Sequence, residues 1–225
     1  GTLGVITGLD LRLHPAPRHR VTAVCGFADL DALVACGRAL RDTDSIAAME
    51  LIDGRAAALA AEHLQVPVAV DGDWLLLIEL AGDSDLTERL AEALEDAELC
   101  AEPAVGIDLT AQQRLWQSRE SVAEVVGLFG PPLKFDVSLP LSVISSFAAD
   151  SAALVAEHAP DAIPLLFGHI GEGNLHLNGA GVLLVERVIL LDRRFRRSFH
   201  IAFKPPEACL SFSYRSFAAR TNTYH

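Results

Sequence analysis

Short β-rich runs alternate with amphipathic runs along most of this chain, and that alternation restricts it to folds in which helices cover a sheet. Residues 21–27, 47–52, 74–81, 101–107 and 133–139 read as strands, and residues 30–40, 55–64, 86–99, 111–128 and 143–158 read as helices. Asp29 is placed to cap the first helix, and Asp83 or Ser84 the third. The run Trp74 to Ala81 is apolar throughout except at Glu79. In the third helix Leu86, Leu90, Ala93, Leu94 and Ala97 recur at helical spacing, with charges between them. The order implies two α/β split units sharing an antiparallel sheet, an α+β, ferredoxin-like arrangement with the helices on one face. Pro15-Ala16-Pro17 is a proline-punctuated linker just before it.

The segment Gly168-His169-Ile170-Gly171-Glu172-Gly173-Asn174-Leu175-His176-Leu177-Asn178 combines paired histidines with turn glycines. If its halves pair across a two-residue turn at Glu172-Gly173, His169 faces His176, Ile170 faces Leu175 and Gly171 faces Asn174. Opposed side chains have Cβ atoms about 5 Å apart, so both imidazoles would reach one divalent ion. Two histidines do not complete the ligand shell of zinc, and spacing alone fits equally well a glycine turn between half-buried strand histidines.

The strand 133–139 sorts its residues by alternation. Leu133, Phe135, Val137 and Leu139 share one face; Lys134, Asp136 and Ser138 share the other. Taken alone, that polar face is a solvated one, and Arg119 is a solvated helix residue. Taken together, Arg119 and Lys134 offer a carboxylate a bidentate fork and a point charge.

Charge limits the partners. A net charge of −12 argues against nucleic acid, whose phosphates are bound by basic surface. Cys25, Cys36, Cys100 and Cys209 show no paired spacing and read as reduced, buried thiols, in keeping with a cytoplasmic protein. No apolar run of about 18 residues is present, so membrane insertion is not expected; the mean hydropathy of +0.30 reflects alanine and leucine in amphipathic elements. The charge is unevenly placed: residues 1–186 hold 10 basic and 28 acidic side chains, net −18, whereas residues 187–225 hold 8 and 2, net +6. Arg193-Arg194-Phe195-Arg196-Arg197 follows no period that would bury a face. Residues 179–225 therefore read either as a basic partner-binding tail or, the favoured reading, as a C-terminus foreign to the domain.

Four segments in order carry a resemblance. Gly1 to Thr7, Trp116 to Ser121, Lys134 to Pro140 and Gly168 to His176 resemble, in turn, the end of the flavin-binding domain, the W-x-S-R-E-x helix, the K-x-D-x-S-x-P strand and the GHxGDGNxH signature of FAD-linked oxidases. The branch is that of the vanillyl-alcohol oxidase superfamily containing D-lactate, glycolate and D-2-hydroxyglutarate dehydrogenases, and the likeness falls in its C-terminal domain. The resemblance implies residues 1–17 as the end of the flavin domain and linker, 18–178 as the substrate and metal domain, and 179–225 as an atypical tail. It implies FAD, bound mainly by an upstream domain with Gly1, Gly4 and Ile6 at its margin, and a divalent metal, zinc by preference, at His169 and His176. Arg119 and Lys134 would bind the substrate carboxylate, with Asn178 in the pocket. The implied partners are a small 2-hydroxy acid and an electron acceptor, with room for a homodimer.

Three departures stand beside the resemblance. Glu172 replaces the usual aspartate, Ala123 stands where dicarboxylate-specific members tend to carry a hydroxyl, and nothing after Asn178 matches the family's S-x-E-H-G segment, which supplies a third metal ligand. The expected function is thus the substrate-binding part of an FAD-dependent D-2-hydroxy-acid dehydrogenase; the alternative is an inactive fragment with a scaffold or dimerisation role.

Overall fold

The computed structural model describes residues 4–41, 45–130 and 132–181. Residues 4–18 carry no helix or strand beyond a bend at Arg18. The chain then runs β1 (His19–Phe27), α1 (Leu30–Leu40), β2 (Ile46–Asp53), α2 (Gly54–Leu64), β3 (Trp74–Gly82), α3 (Thr87–Leu94), β4 (Ala104–Gly106), α4 (Leu109–Leu128), β5 (Leu133–Ser138), α5 (Ile144–His158), β6 (Ile163–His169) and β7 (Asn174–Ala180). The seven strands form one sheet in the order β4-β1-β3-β2-β6-β7-β5, and every pairing is antiparallel. This is an α+β fold on an antiparallel sheet.

The continuous apolar run of β3 is explained by its place. β1 pairs with it along one edge and β2 along the other, from Phe27↔Trp74 to His19↔Gly82 and from Asp53↔Trp74 to Ile46↔Leu80. Leu75, Leu76, Leu77, Ile78 and Leu80 are each at most 1% exposed. Consecutive apolar residues on a strand point to opposite sides, so such a run requires cover on both faces. The helices are accordingly not confined to one face. Residues of α1, α3 and α5 pack with Val21, Cys25, Leu76 and Ile78, whereas residues of α2 and α4 pack with Val24, Ile52, Leu75 and Leu77.

Local signals explain most boundaries. Asp29 caps α1, its Oδ1 accepting from Ala32 N at 2.8 Å. At α3 neither Asp83 nor Ser84 is the cap; Asp85 Oδ1 accepts from Thr87 N at 2.9 Å, and the helix ends at Leu94 rather than near residue 99. Glu95, Asp96 and Glu98 follow there, and carboxylates oppose the partial negative charge of a helix C-terminus. The thiols also differ from expectation: Cys25 and Cys36 are free and buried, but Cys100 is exposed, and Cys209 lies outside the described residues.

Candidate active site on the α4 face of the sheet

The histidine hairpin does not close as a two-residue turn. A 3-10 turn, Ile170–Glu172, and Gly173 connect β6 to β7, and the register sets His169 opposite Asn174, Gly168 opposite Leu175 and Phe167 opposite His176. Ile170 is the cause: its side chain is fully buried in the cluster on the other face, which draws the chain into a turn. Gly173 completes that turn at φ +70°, and a Cβ there would lie 2.0 Å from the Leu139 carbonyl oxygen. Leu139 N donates to Gly173 O at 2.9 Å, tying the turn to the end of β5.

The shift moves the pairing by two positions, so every side chain keeps its face. His169 and His176 therefore still converge, as diagonal rather than opposed neighbours. Their ring centroids are 5.7 Å apart at an interplanar angle of 82°, and Phe167 lies 5.3 Å from His176. Each imidazole has its Nδ1 on a carboxylate: His169 on Glu50 Oε1 at 2.5 Å, His176 on Asp136 Oδ1.

β5 brings its polar face to the same place. It pairs with β7 so that Lys134 stands opposite Asn178 and Asp136 opposite His176. Lys134 and Asp136 are exposed, while Asn178 is buried at 2% exposure. The alternation read from the sequence thus delivers Lys134 to the face that carries the histidines.

Arg119 comes from α4, which lies across this face. Its Nε donates to Glu50 Oε2 at 2.8 Å, and its guanidinium carbon stands 5.0 Å from the Phe167 ring centroid. Arg119 is not the solvated helix residue of the plainer expectation; its side chain is 12% exposed, and the carboxylate that it meets lies 69 positions away. One turn earlier, Trp116 Nε1 donates to Glu79 Oε2 at 2.9 Å. Glu79 also accepts from Thr22 Oγ1 at 3.3 Å and pairs with Arg20. The W-x-S-R-E segment is therefore pinned to the sheet through two buried glutamates, Glu50 and Glu79. Sequence reasoning missed Glu50. Its signal was a single carboxylate inside the apolar strand Ala47-Ala48-Met49-Glu50-Leu51-Ile52.

The donor chemistry fits half a metal site. With each Nδ1 engaged by a carboxylate, Nε2 of His169 and of His176 is the nitrogen left to ligate, and this is the usual way in which metal-binding histidines are oriented. Among the described residues no group of three or more histidine, cysteine or carboxylate side chains is arranged to hold an ion, so the two histidines do not by themselves make a metal centre. Of the residues expected at the flavin, Gly1 lies outside the described residues; Gly4 and Ile6 sit in the exposed segment before β1, with Ile6 at 78% exposure.

Comparisons with known proteins bear on the family and the fold. Residues 16–182 match the family described as FAD linked oxidases, C-terminal domain. The chain is 31% identical over 184 residues to a D-2-hydroxyglutarate dehydrogenase of Stutzerimonas stutzeri (strain A1501), covering 79% of this chain and 39% of that protein. It is 30% identical over 187 residues to the mitochondrial D-2-hydroxyglutarate dehydrogenase of Bos taurus, covering 79% of this chain and 34% of that one. The chain thus spans little more than a third of the length of these relatives. The fold is similar to that of 4-ethylphenol oxidase from Gulosibacter chungangensis, with a TM-score of 0.55 at 13% identity over 83% of this chain and 46% of the other. It is likewise similar to p-cresol methylhydroxylase, with a TM-score of 0.54 at 12% identity over 81% and 43%. With three quarters of its length matched and its motif residues gathered on one face, the chain belongs to the C-terminal domain family of the FAD-linked oxidases.

Proposed function

We propose that this chain is the substrate- and metal-binding part of an FAD-dependent dehydrogenase that oxidises a D-2-hydroxy acid. The observation that carries the reading is the gathering on one sheet face of Arg119, His169 and His176, with Lys134 on that face of the neighbouring strand. Arg119 keeps further N–H donors beyond the Nε that meets Glu50, and these would hold the substrate carboxylate bidentately. Lys134 adds a second positive charge from β5, and Asn178 contributes a polar lining beneath it. Bound to both carboxylate anchors, the substrate turns its hydroxyl towards the Nε2 atoms of His169 and His176. A divalent ion held there, zinc by preference, would supply Lewis acidity to that hydroxyl. FAD, carried by a separate flavin domain, would supply the hydride acceptor. Phe167 and the body of α4 cover the Glu50–Arg119 contact, which strengthens that interaction. The relatives named as D-2-hydroxyglutarate dehydrogenases favour a hydroxy acid with a second carboxylate; Ala123, without a hydroxyl, favours a smaller one.

The test is co-expression with a flavin-binding domain and assay of dye reduction by D-lactate, glycolate and D-2-hydroxyglutarate. Turnover of at least one is expected. Arg119→Ala should raise KM and lower kcat, for a combined loss of at least about tenfold in kcat/KM. Unchanged kinetics would remove Arg119 from the site, and full activity of His169→Ala would remove the metal role.

A further inference from the structure

Glu50 holds two residues of the proposed site with one buried carboxylate. Its Oε2 accepts from Arg119 Nε at 2.8 Å and its Oε1 meets His169 Nδ1 at 2.5 Å. Its side chain is 6% exposed, so water does not stand in for either partner. The three residues come from β2, α4 and β6, which have no contact in sequence, and a carboxylate is tolerated in such a strand only if it is paired. An ionised carboxylate can only accept. Arg119 can only donate, so a neutral His169 carries its proton on Nδ1, towards Glu50, and keeps the lone pair of Nε2 bare. The matching contact on His176 is different in kind, because Asp136 has a side chain that is 60% exposed and is therefore open to water.

We propose that Glu50 is a positioning residue that locks His169 in its Nδ1–H tautomer and fixes the plane of the Arg119 guanidinium, so that the metal-binding and carboxylate-binding halves of the site are set by one shared charge. This rests on the function proposed above. It implies that the two halves cannot be adjusted independently. A change at Glu50 alters the hydrogen-bond character of a ligand atom that Glu50 does not touch, Nε2 of His169.

Glu50→Gln separates this from simple packing. The amide keeps the volume of the acid but has one acceptor and one donor end. Its oxygen must face Arg119, which offers nothing but donors, so its NH2 faces Nδ1 of His169 and drives the ring to the Nε2–H tautomer. Long-range 1H–15N correlation spectra of the metal-free full chain, with His169 assigned by its loss in His169→Ala, report the tautomer directly. The wild type should show His169 protonated at Nδ1 and bare at Nε2; Glu50→Gln should show the reverse, with otherwise unchanged spectra. Asp136→Asn should leave His169 as in the wild type. If Glu50→Gln fails to fold, Glu50→Asp retains the charge one methylene further back, and a mixture of His169 tautomers is expected. A wild-type His169 protonated at Nε2 overturns the proposal, as does an unchanged single tautomer in a folded Glu50 variant. Titration with Co2+ alone, followed by its visible absorption, gives a second readout. Glu50→Gln should weaken binding by about 10-fold to 100-fold, and equal affinities would overturn the link to the ligand atom. Absence of Co2+ binding in the wild type, alongside the tautomer switch, supports Glu50 as the orienting group and counts against the metal in the proposed function.

Discussion

The two faces of the sheet solve the same burial problem with different chemistry. Under α1, α3 and α5 the sheet presents mainly Leu, Ile, Val, Phe and thiol groups, and the buried carboxylate of Asp53 at the end of β2 is answered by its near neighbour Arg55. Under α2 and α4 the same strands present Thr22, Glu50, Glu79 and Asn178, all buried, and the helix answers with Gln112, Trp116 and Arg119. The first face gains stability in proportion to area and tolerates little polarity. On the second, Glu50 and Glu79 each hold named side-chain partners, which contributes less net free energy but fixes orientation. A site that must aim an imidazole and a guanidinium at one small molecule belongs on the second face.

Substitutions at matched positions would break or sharpen this contrast. The largest effect is expected on the apolar face, where Leu76→Ala in the centre of β3 should cost about 3 kcal/mol of unfolding free energy, since the fully buried side chain leaves a cavity that the flanking strands cannot close. Chemical denaturation measures it, and a loss under about 1 kcal/mol would mean that this face is loosely packed. Gly173→Ala, at the rim of the ionic face, combines a left-handed backbone with a Cβ 2.0 Å from Leu139 O, for an expected cost of about 2 kcal/mol. It should also move the hairpin and alter the His169 and His176 resonances; a stable variant with unmoved histidines would show that the turn does not hold the site.

A smaller effect is expected at Glu79. Glu79→Gln keeps one acceptor where the structure uses two oxygens for Trp116, Thr22 and Arg20, and should cost about 1–2 kcal/mol. Unlike Glu50→Gln it should leave the His169 tautomer unchanged, and a change there would erase the distinction between the two glutamates. The smallest effect tests the apolar face by pH. Burial pushes the Cys25 thiol up to about 12, with the neighbouring Cys36 adding to it, and burial alone raises Cys36 to about 11. The unfolded chain ionises these thiols from about pH 9, so the stability they contribute is complete below that pH and is lost as pH rises towards their folded values. At pH 10 Cys25 should account for a loss of about 1 kcal/mol. Denaturation midpoints of the wild type and Cys25→Ala at pH 8 and pH 10 compare it, and equal pH dependence would place the thiol in contact with water.

Much of this was legible in the residues. The β3 run, the Asp29 cap and the alternation of Lys134, Asp136 and Ser138 are local patterns with a period, and a period survives into any fold that buries one face. The convergence of His169 and His176 is different. It was expected from a two-residue turn that does not form, and it holds because the actual register differs by an even number of positions. What hid the true turn was Ile170, whose burial depends on the cluster beneath α1 and α5 rather than on its neighbours in sequence.

The sequence by itself determined the strand and helix order, the polar face of β5 and the residue types of the site, because propensity, capping and side-chain period act over a few residues. Only the tertiary structure decided that helices cover both faces, that Arg119 reaches across 69 positions to Glu50 rather than into solvent, and that Glu50 joins Arg119 to His169. Those are contacts between distant strands and a helix, set by which elements can share one dry interior. A lone carboxylate in an apolar strand announces that it needs partners, but the sheet order chooses them.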